Sequence, residues 1–434
     1  MNEACSHSSR DSLGSTSDRF GAAATPLRQS RTICGQRARG WGLLAASLAL
    51  ATLVGCPAPS DNSDGSEPNT PTDGDDVTDG GSGGPVGDPV IQSRSLTDVR
   101  INPTIPDKPR NFMLGAVAVG AAGEDFSDAD LEAAIQRVSE SSECIVVRPL
   151  IDWEYFRPGG TDPTSIRLNE TVAIVSSARS RGLQYSLIQL DPIANRSTVS
   201  PLPAALTGQD FGDNAVRDAV RGMTVQTAQR IQPTYLSVGV EVNGYLDANP
   251  QDFENLVSLH NELYDEIKAV SPNTKVALSL HYETLLRMTA GPGQADGDEA
   301  RRALIARFQV DVLALSSLPW PSYSNPNYVP LDYVSRVEDF SDLPIILSEI
   351  AWTTDPGSGG NEQEQVDYLA IMARAAMAAP QVELVAWAFL TDPLPGTVLD
   401  EIPSFTRIGL FTSDGVAKPA YALWQDLHAR PWQP

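Results

Sequence analysis

"LPIILSEIAW", Leu343 to Trp352, carries the reading of both the fold and the site. Ile345, Ile346 and Leu347 follow one another without a polar alternate, as in a parallel strand buried on both faces. The run then delivers a carboxylate, Glu349, with Trp352 three residues on. Burying a charge is costly. A glutamate there is a solvated strand end, a structural acid with a partner, or half of a reactive pair.

Seven other runs of strand length surround this one. In chain order they are "NFMLGAV", "CIVVRPLI", "LQYSLIQL", "TYLSVGVEV", "KVALSLHY", "VDVLALSS" and, after the quoted stretch, "VELVAWAF". Amphipathic stretches alternate with them: "SDADLEAAIQRVSE", "SIRLNETVAIVSSARSR", "NAVRDAVRGMTVQTAQRI", "DFENLVSLHNELYDEIKAV", "DEARRALIARF", "LDYVSRVEDF", "EQEQVDYLAIMARAAMAA" and "AKPAYALWQDLHA". In the fourth, Phe253, Leu256, Val257, His260, Leu263, Tyr264 and Ile267 recur at helical spacing. Asn249 is positioned to cap it, Pro250 to open it, and Pro272 to stop it. Eight strand–helix units predict an α/β fold, a (β/α)8 TIM barrel, over residues 99–434. An open doubly wound sheet is the rival. It usually carries a glycine-rich phosphate turn after its first strand, which "NFMLGAVAVGAAGED" matches poorly.

The barrel is preceded by segments of other composition. Arg28, Arg31, Arg37 and Arg39 come before the apolar run "GLLAASLALATLVG", Gly42 to Gly55. That run is short for a bilayer span and has the charge order of a secretory signal, assigned to residues 1–55. It ends in "LVGC", Leu53 to Cys56, which resembles the lipobox of bacterial lipoproteins. The resemblance implies lipidation at Cys56 and a place in the cell envelope, anchored on the periplasmic or cell-surface side. An uncleaved anchor helix is the alternative. Residues 56–98 are rich in Gly, Ser, Pro, Thr and Asp, and read as a disordered acidic tether. Of the four cysteines, Cys5, Cys34 and Cys56 precede the barrel, so Cys144 is expected as a small buried hydrophobe without a disulfide. A net charge of −24 lacks the basic footprint of a nucleic-acid binder.

In such a barrel the chemistry sits at the C-terminal ends of the strands. There the sequence places Arg148, Asp152, Trp153, Glu154, Glu241, Asn243, His281, Tyr282, Glu283, Ser316, Ser317, Trp320, Glu349, Trp352 and Trp387. Metal chemistry is poorly supported. Of four histidines, His7 precedes the barrel, His260 and His428 fall within helices, and only His281 ends a strand. No G-x-S-x-G elbow is present in the barrel. What remains is two strand-end carboxylates, Glu241 and Glu349, amid aromatic residues. Glycoside hydrolysis needs such a pair, one to protonate the leaving oxygen and one to attack or activate water. Structural acids also occupy strand ends, and the pattern alone does not separate the two.

"ILSEIAW" resembles the strand-seven nucleophile motif of the clan of retaining (β/α)8 glycoside hydrolases, and "YLSVGVEVNG" resembles its strand-four acid/base motif. "DVLALSSLPWPS" is similar to the strand-six segment of family 53 endo-β-1,4-galactanases. Arg148 matches the clan's strand-two arginine that contacts the nucleophile, and Trp387 its strand-eight tryptophan. The resemblance implies Glu349 as nucleophile and Glu241 as acid/base. It also implies substrate-binding or supporting roles for Arg148, Trp153, Asn243, His281, Tyr282, Trp320, Trp352 and Trp387, with the tryptophans as sugar platforms. Val240 stands where the clan usually has the asparagine that contacts the sugar 2-hydroxyl, and Asn243 is the candidate replacement. On this reading Arg148 favours the charged form of Glu349, while Val240 and Val242 disfavour charge on Glu241.

The function expected is therefore hydrolysis of a β-linked oligo- or polysaccharide, galactan being one candidate, by a monomer that needs no metal or other cofactor. The alternative is a weakly active or inactive barrel that binds glycan as a surface lipoprotein. The anchor has a direct check. Cys56→Ala is expected to release or misprocess the protein, read by membrane fractionation and by mass spectrometry of the mature N-terminus.

Overall fold

The computed structural model describes residues 104–118, 127–194, 196–289, 296–394 and 402–433. The signal and tether, Cys56 included, lie outside the described residues. Each apolar run forms a strand: β1 Met113–Val117, β2 Cys144–Val147, β3 Tyr185–Leu190, β4 Tyr235–Val238, β5 Lys275–His281, β6 Val312–Ser317, β7 Ile345–Ile350 and β8 Val382–Trp387. They close into a barrel in the order β1-β8-β7-β6-β5-β4-β3-β2, with every pairing parallel. Parallel pairing needs a crossover after each strand, and burial on both faces explains the unbroken apolar runs. The doubly wound alternative is excluded by closure.

The crossovers carry α1 Asp128–Ser139, α2 Ile166–Ser180, α3 Asn214–Ile231, α4 Asp252–Val270, α5 Gly297–Ile305, α6 Glu362–Ala378 and α7 Pro419–Ala429. Several starts are capped as their residues dictate. Ser127 and Asp130 form a reciprocal capping box on α1. Asp296 accepts from Glu299 N at 2.8 Å on α5, and Asn361 from Glu364 N at 2.9 Å on α6. Two local expectations fail. Asn249 does not cap α4, because its side chain donates to the Ser197 carbonyl instead. The run "LDYVSRVEDF" gives only a 3₁₀ turn, Ser335–Asp339. Pro330 and Pro344 confine it, and Tyr333, Val334 and Val337 must all reach the core.

β7 departs from regular pairing. Against β6, Leu315 faces Leu347 but Ser316 faces Glu349. Against β8, Val385 faces Leu347 but Trp387 faces Ile350. Both neighbours therefore see one extra β7 residue beyond Leu347, a β-bulge, which re-aims the side chains that follow it.

Cys144 and His260 are buried as expected. Burial raises the thiol of Cys144 and lowers the imidazole of His260 to about 4. Among the described residues no helix is long and apolar enough to cross a membrane.

The loops after β7 and β8 are held by a buried ion pair. Lys418 Nζ lies 2.8 Å from Asp392 Oδ2 and 3.2 Å from Thr354 Oγ1, while Asp392 Oδ1 accepts from Gly409 N at 2.6 Å. Lys418→Met leaves that carboxylate buried without its cation and is expected to cost about 3–5 kcal/mol. Adding Asp392→Asn removes the stranded charge and is expected to recover part of the loss. Urea unfolding of both variants at pH 7 reads the difference.

Candidate active site

The strand ends bring two carboxylates and two guanidinium groups together. Glu349, beyond the β7 bulge, is 0% exposed. Its Oε2 accepts from Arg148 Nη2 at 2.5 Å, and Arg148 Nε donates in turn to Gln189 Oε1 at 2.8 Å. Arg148 follows β2 and Gln189 lies in β3, so two strands orient the group that orients Glu349. Oε1 of Glu349 has no hydrogen-bond partner among the described residues. Burial raises the Glu349 carboxyl above its ordinary range. Arg148 opposes this only in part, and the nearby Glu241 charge adds to it.

Glu241 is placed by a sharp turn after β4. Gly239 and Glu241 both take left-handed backbone, at φ 91° and 54°. For a non-glycine residue that conformation costs on the order of 1–3 kcal/mol, and such strain gathers at functional sites. The Glu241 amide donates to Ser279 Oγ at 3.0 Å. Both carboxylate oxygens are engaged: Oε2 accepts from Arg196 Nε, and Oε1 from the Ser316 hydroxyl. Ser316 is also the β6 register partner of Glu349, so one serine links the two acids. Burial alone would raise the Glu241 carboxyl, but Arg196, His281 and the Ser316 hydroxyl together outweigh it and hold it down at about 2.

The charge pattern is thus the reverse of the expected one, with Glu241 held ionised and Glu349 pushed toward its neutral form. Val240 and Val242 do bury Glu241. The expectation fails because it lacked Arg196, which a short hairpin after β3 (Ile193–Ala194 with Thr198–Val199) delivers to the site. Arg196 has φ 56° and its side chain lies against Gly244. A Cβ at Gly244 would come within 2.5 Å of Arg196 Cβ and 3.0 Å of its Cδ. The only signal in the sequence was a basic residue in a strand-end loop.

The remaining candidates divide. Asn243 is spent on backbone. Its Nδ2 donates to His281 O at 3.0 Å and its Oδ1 accepts from His281 N at 2.9 Å, which ties the ends of β4 and β5 together. That corrects its assignment as the substitute sugar contact. His281 Nε2 lies 3.1 Å from Glu283 Oε2, and burial, then Arg196, lower its imidazole. Glu283 also accepts from Ser317 Oγ at 2.9 Å and from the Tyr333 hydroxyl. Tyr282 is a core ring whose hydroxyl donates to the Tyr333 carbonyl, not a surface for substrate.

The tryptophan platforms are also corrected. Trp387 is enclosed by Tyr368 and Trp424, with Nε1 bonded to Ile408 O at 2.8 Å. Trp352 is equally buried, against Tyr368. Trp153 is buried and donates to Ser200 Oγ at 3.2 Å. Only Trp320 of the four is partly open, its ring 5.4 Å from Phe405. Among the described residues no three His, Cys, Asp or Glu side chains converge to hold a metal ion.

The architecture is that of known glycoside hydrolases. GH5_18 from Bifidobacterium longum subsp. longum ATCC 55813 superposes with a TM-score of 0.57 at 16% identity, over 75% of this chain and 81% of that one. A GH5_18 variant from Streptomyces cattleya, in complex with Manβ1-4GlcNAc, gives 0.56 at 18%, over 75% and 83%. The GH53 catalytic domain of Ignisphaera aggregans gives 0.51 at 17%, over 77% and 99%. At such identities the likeness is one of fold, the (β/α)8 barrel. No family model and no curated protein matches the chain.

The raised Glu349 carboxyl makes a prediction about stability. A group that holds its proton more tightly when folded lends stability at low pH and loses it as pH rises through its folded pKa. Glu349→Gln mimics the protonated form at every pH. Its melting temperature is expected to exceed the parent's at pH 7 by a margin that shrinks toward pH 4, read by thermal scans across that range. A structural pair with Arg148 that favours the ionised acid gives the opposite sign.

Proposed function

We propose that this chain is an exported, lipid-anchored retaining glycoside hydrolase acting on a β-linked glycan. One observation carries the reading. A fully buried glutamate sits beyond a strand bulge with one oxygen fixed by Arg148 and the other unpartnered, and its register partner Ser316 holds a second carboxylate, Glu241. An acid that merely satisfied loop amides would have both oxygens engaged.

The steps follow from that arrangement. Glu349 Oε1 attacks the anomeric carbon while the bond to the leaving oxygen breaks and Glu241 gives that oxygen a proton. Glu241 then takes a proton from water as the water oxygen bonds to the anomeric carbon and the ester to Glu349 breaks. Arg148 fixes the angle of the nucleophile and accommodates its charge when it ionises. Ser279 and Ser316 hold Glu241 in place. Galactan is one candidate substrate, from the strand-six resemblance. β-Mannosides are a second candidate, suggested by the Streptomyces cattleya protein of similar fold seen with Manβ1-4GlcNAc.

A second reading has its own support. Glu241 enters the site already paired with Arg196 and Ser316, which suits a barrel that holds glycan without cleaving it. Turnover separates the two. The protein is expected to hydrolyse a member of a panel of aryl β-glycosides and β-glycans with retention of anomeric configuration, read by proton NMR of the first-formed product. Glu349→Gln is expected to abolish this, because an amide cannot form the glycosyl ester. Glu241→Gln is expected to slow a natural glycan by about 10²–10⁴-fold and an activated aryl glycoside much less. Saccharide binding without turnover anywhere in the panel would establish the binder.

A further inference from the structure

Among the described residues, Arg196 is the one charged group at the pair that the proposed chemistry leaves without a task. Its placement is built. The hairpin after β3 holds it in left-handed backbone, and Gly244 clears the surface its side chain crosses. Its Nε donates to Glu241, with the Arg196 side chain 13% and the Glu241 side chain 7% exposed. An arginine so enclosed is costly to leave without a counter-charge.

The reactive protonation state would do just that. For the first step Glu349 must be ionised, and Arg148 stands on it. Glu241 must carry a proton with an oxygen free to give it. Protonating Glu241 removes the carboxylate partner of Arg196, and while Arg196 stays in place that proton is disfavoured. A neutral sugar hydroxyl cannot replace a carboxylate in a charge-assisted bond, which is roughly twice as strong as a neutral one. A carboxylate on the sugar can. It matches the planar fork of the guanidinium, and by neutralising Arg196 it lets Glu241 take up a proton from solvent. Arg148, Glu349, His281 and Ser316, which also face this pair, supply no second anion for Arg196, since Glu349 is taken by Arg148.

We propose that Arg196 is a specificity residue for an acidic sugar, and that the substrate is a β-linked uronic acid glycoside whose carboxylate takes Arg196 over from Glu241 and so releases the acid/base. The proposal rests on the hydrolase reading of the site and adds the substrate class to it.

The test uses matched pairs of phenyl β-D-glycosides that differ only in a carboxylate for a hydroxymethyl group: glucuronide and glucoside, galacturonide and galactoside, mannuronide and mannoside. Phenol leaves slowly without an acid, so the release of Glu241 is read in the rate. In at least one pair the parent is expected to favour the uronide about 100-fold in kcat/KM, the scale of a charge-assisted bond in a buried site. Arg196→Gln is expected to bring the ratio within tenfold, and Arg196→Lys, which keeps the charge, to retain the preference. A neutral glycoside turned over as well as its acidic partner overturns the proposal, as does a preference that survives in Arg196→Gln. Loss of all activity in both variants with a lowered melting temperature also overturns it, marking Arg196 as scaffold. Calorimetric titration of the same pairs into the Glu349→Gln protein reads the charge selection without turnover. Uronide-selective binding with no hydrolysis by the parent removes the hydrolase reading and leaves the role of Arg196 standing. No selectivity in binding together with no uronide turnover overturns the proposal itself.

Discussion

The extra residue in β7 is the constraint on which the site depends. In a closed parallel barrel each strand is held in register by two neighbours, so one inserted residue is felt by both β6 and β8. The side chains beyond Leu347 are re-aimed, and Glu349 arrives opposite Ser316 with its carboxylate on Arg148. The barrel absorbs the irregularity because the surrounding strands are closed and almost wholly buried. A local kink therefore becomes a fixed orientation.

Around that point the charges are arranged asymmetrically. Each glutamate has an arginine, but the outcomes differ in sign. Glu349 is fully buried, and a single bond from Arg148, itself shared with Gln189, does not offset its desolvation. Glu241 has both oxygens bonded, and Arg196, His281 and Ser316 together do offset the cost of burial. Glu241 is thus held ionised where the first step of a double displacement asks it for a proton, and giving it one needs something to act on Arg196. That is the physical ground for reading the site as responsive to the charge of what enters it.

The rim of the barrel is built from buried polar groups with specific partners. Asn243 clamps the end of β5, Gln365 of α6 donates to the carbonyls of Trp352, Ile408 and Gly409, and Lys418 with Asp392 closes the C-terminal loops. Each fixes a strand-end loop where irregular backbone would otherwise be unsatisfied. The same closure draws Trp352 and Trp387 into the core, where they bury large apolar area, and leaves Trp320 as the ring with a partly open face.

What the sequence determined by itself was the alternation of elements and the residues at the strand ends. Those are local properties. Unbroken runs such as "CIVVRPLI" and helical spacing such as that of Phe253, Leu256 and Ile267 register within a few residues, and Glu349 and Arg148 stand out as polar groups ending apolar runs. The tertiary structure alone decided what each group meets. The bulge at β7 is a register between strands far apart in sequence, invisible in a run that reads as six ordinary residues. Arg196 lies 45 residues from Glu241, in a loop without periodicity, so its control of that carboxylate could not be read in advance. The tryptophans look alike as strand-end aromatics, and only packing separates buried from open. Ionisation is a sum over neighbours in space. The sequence therefore named the two acids, and the fold decided which way each carboxyl is shifted.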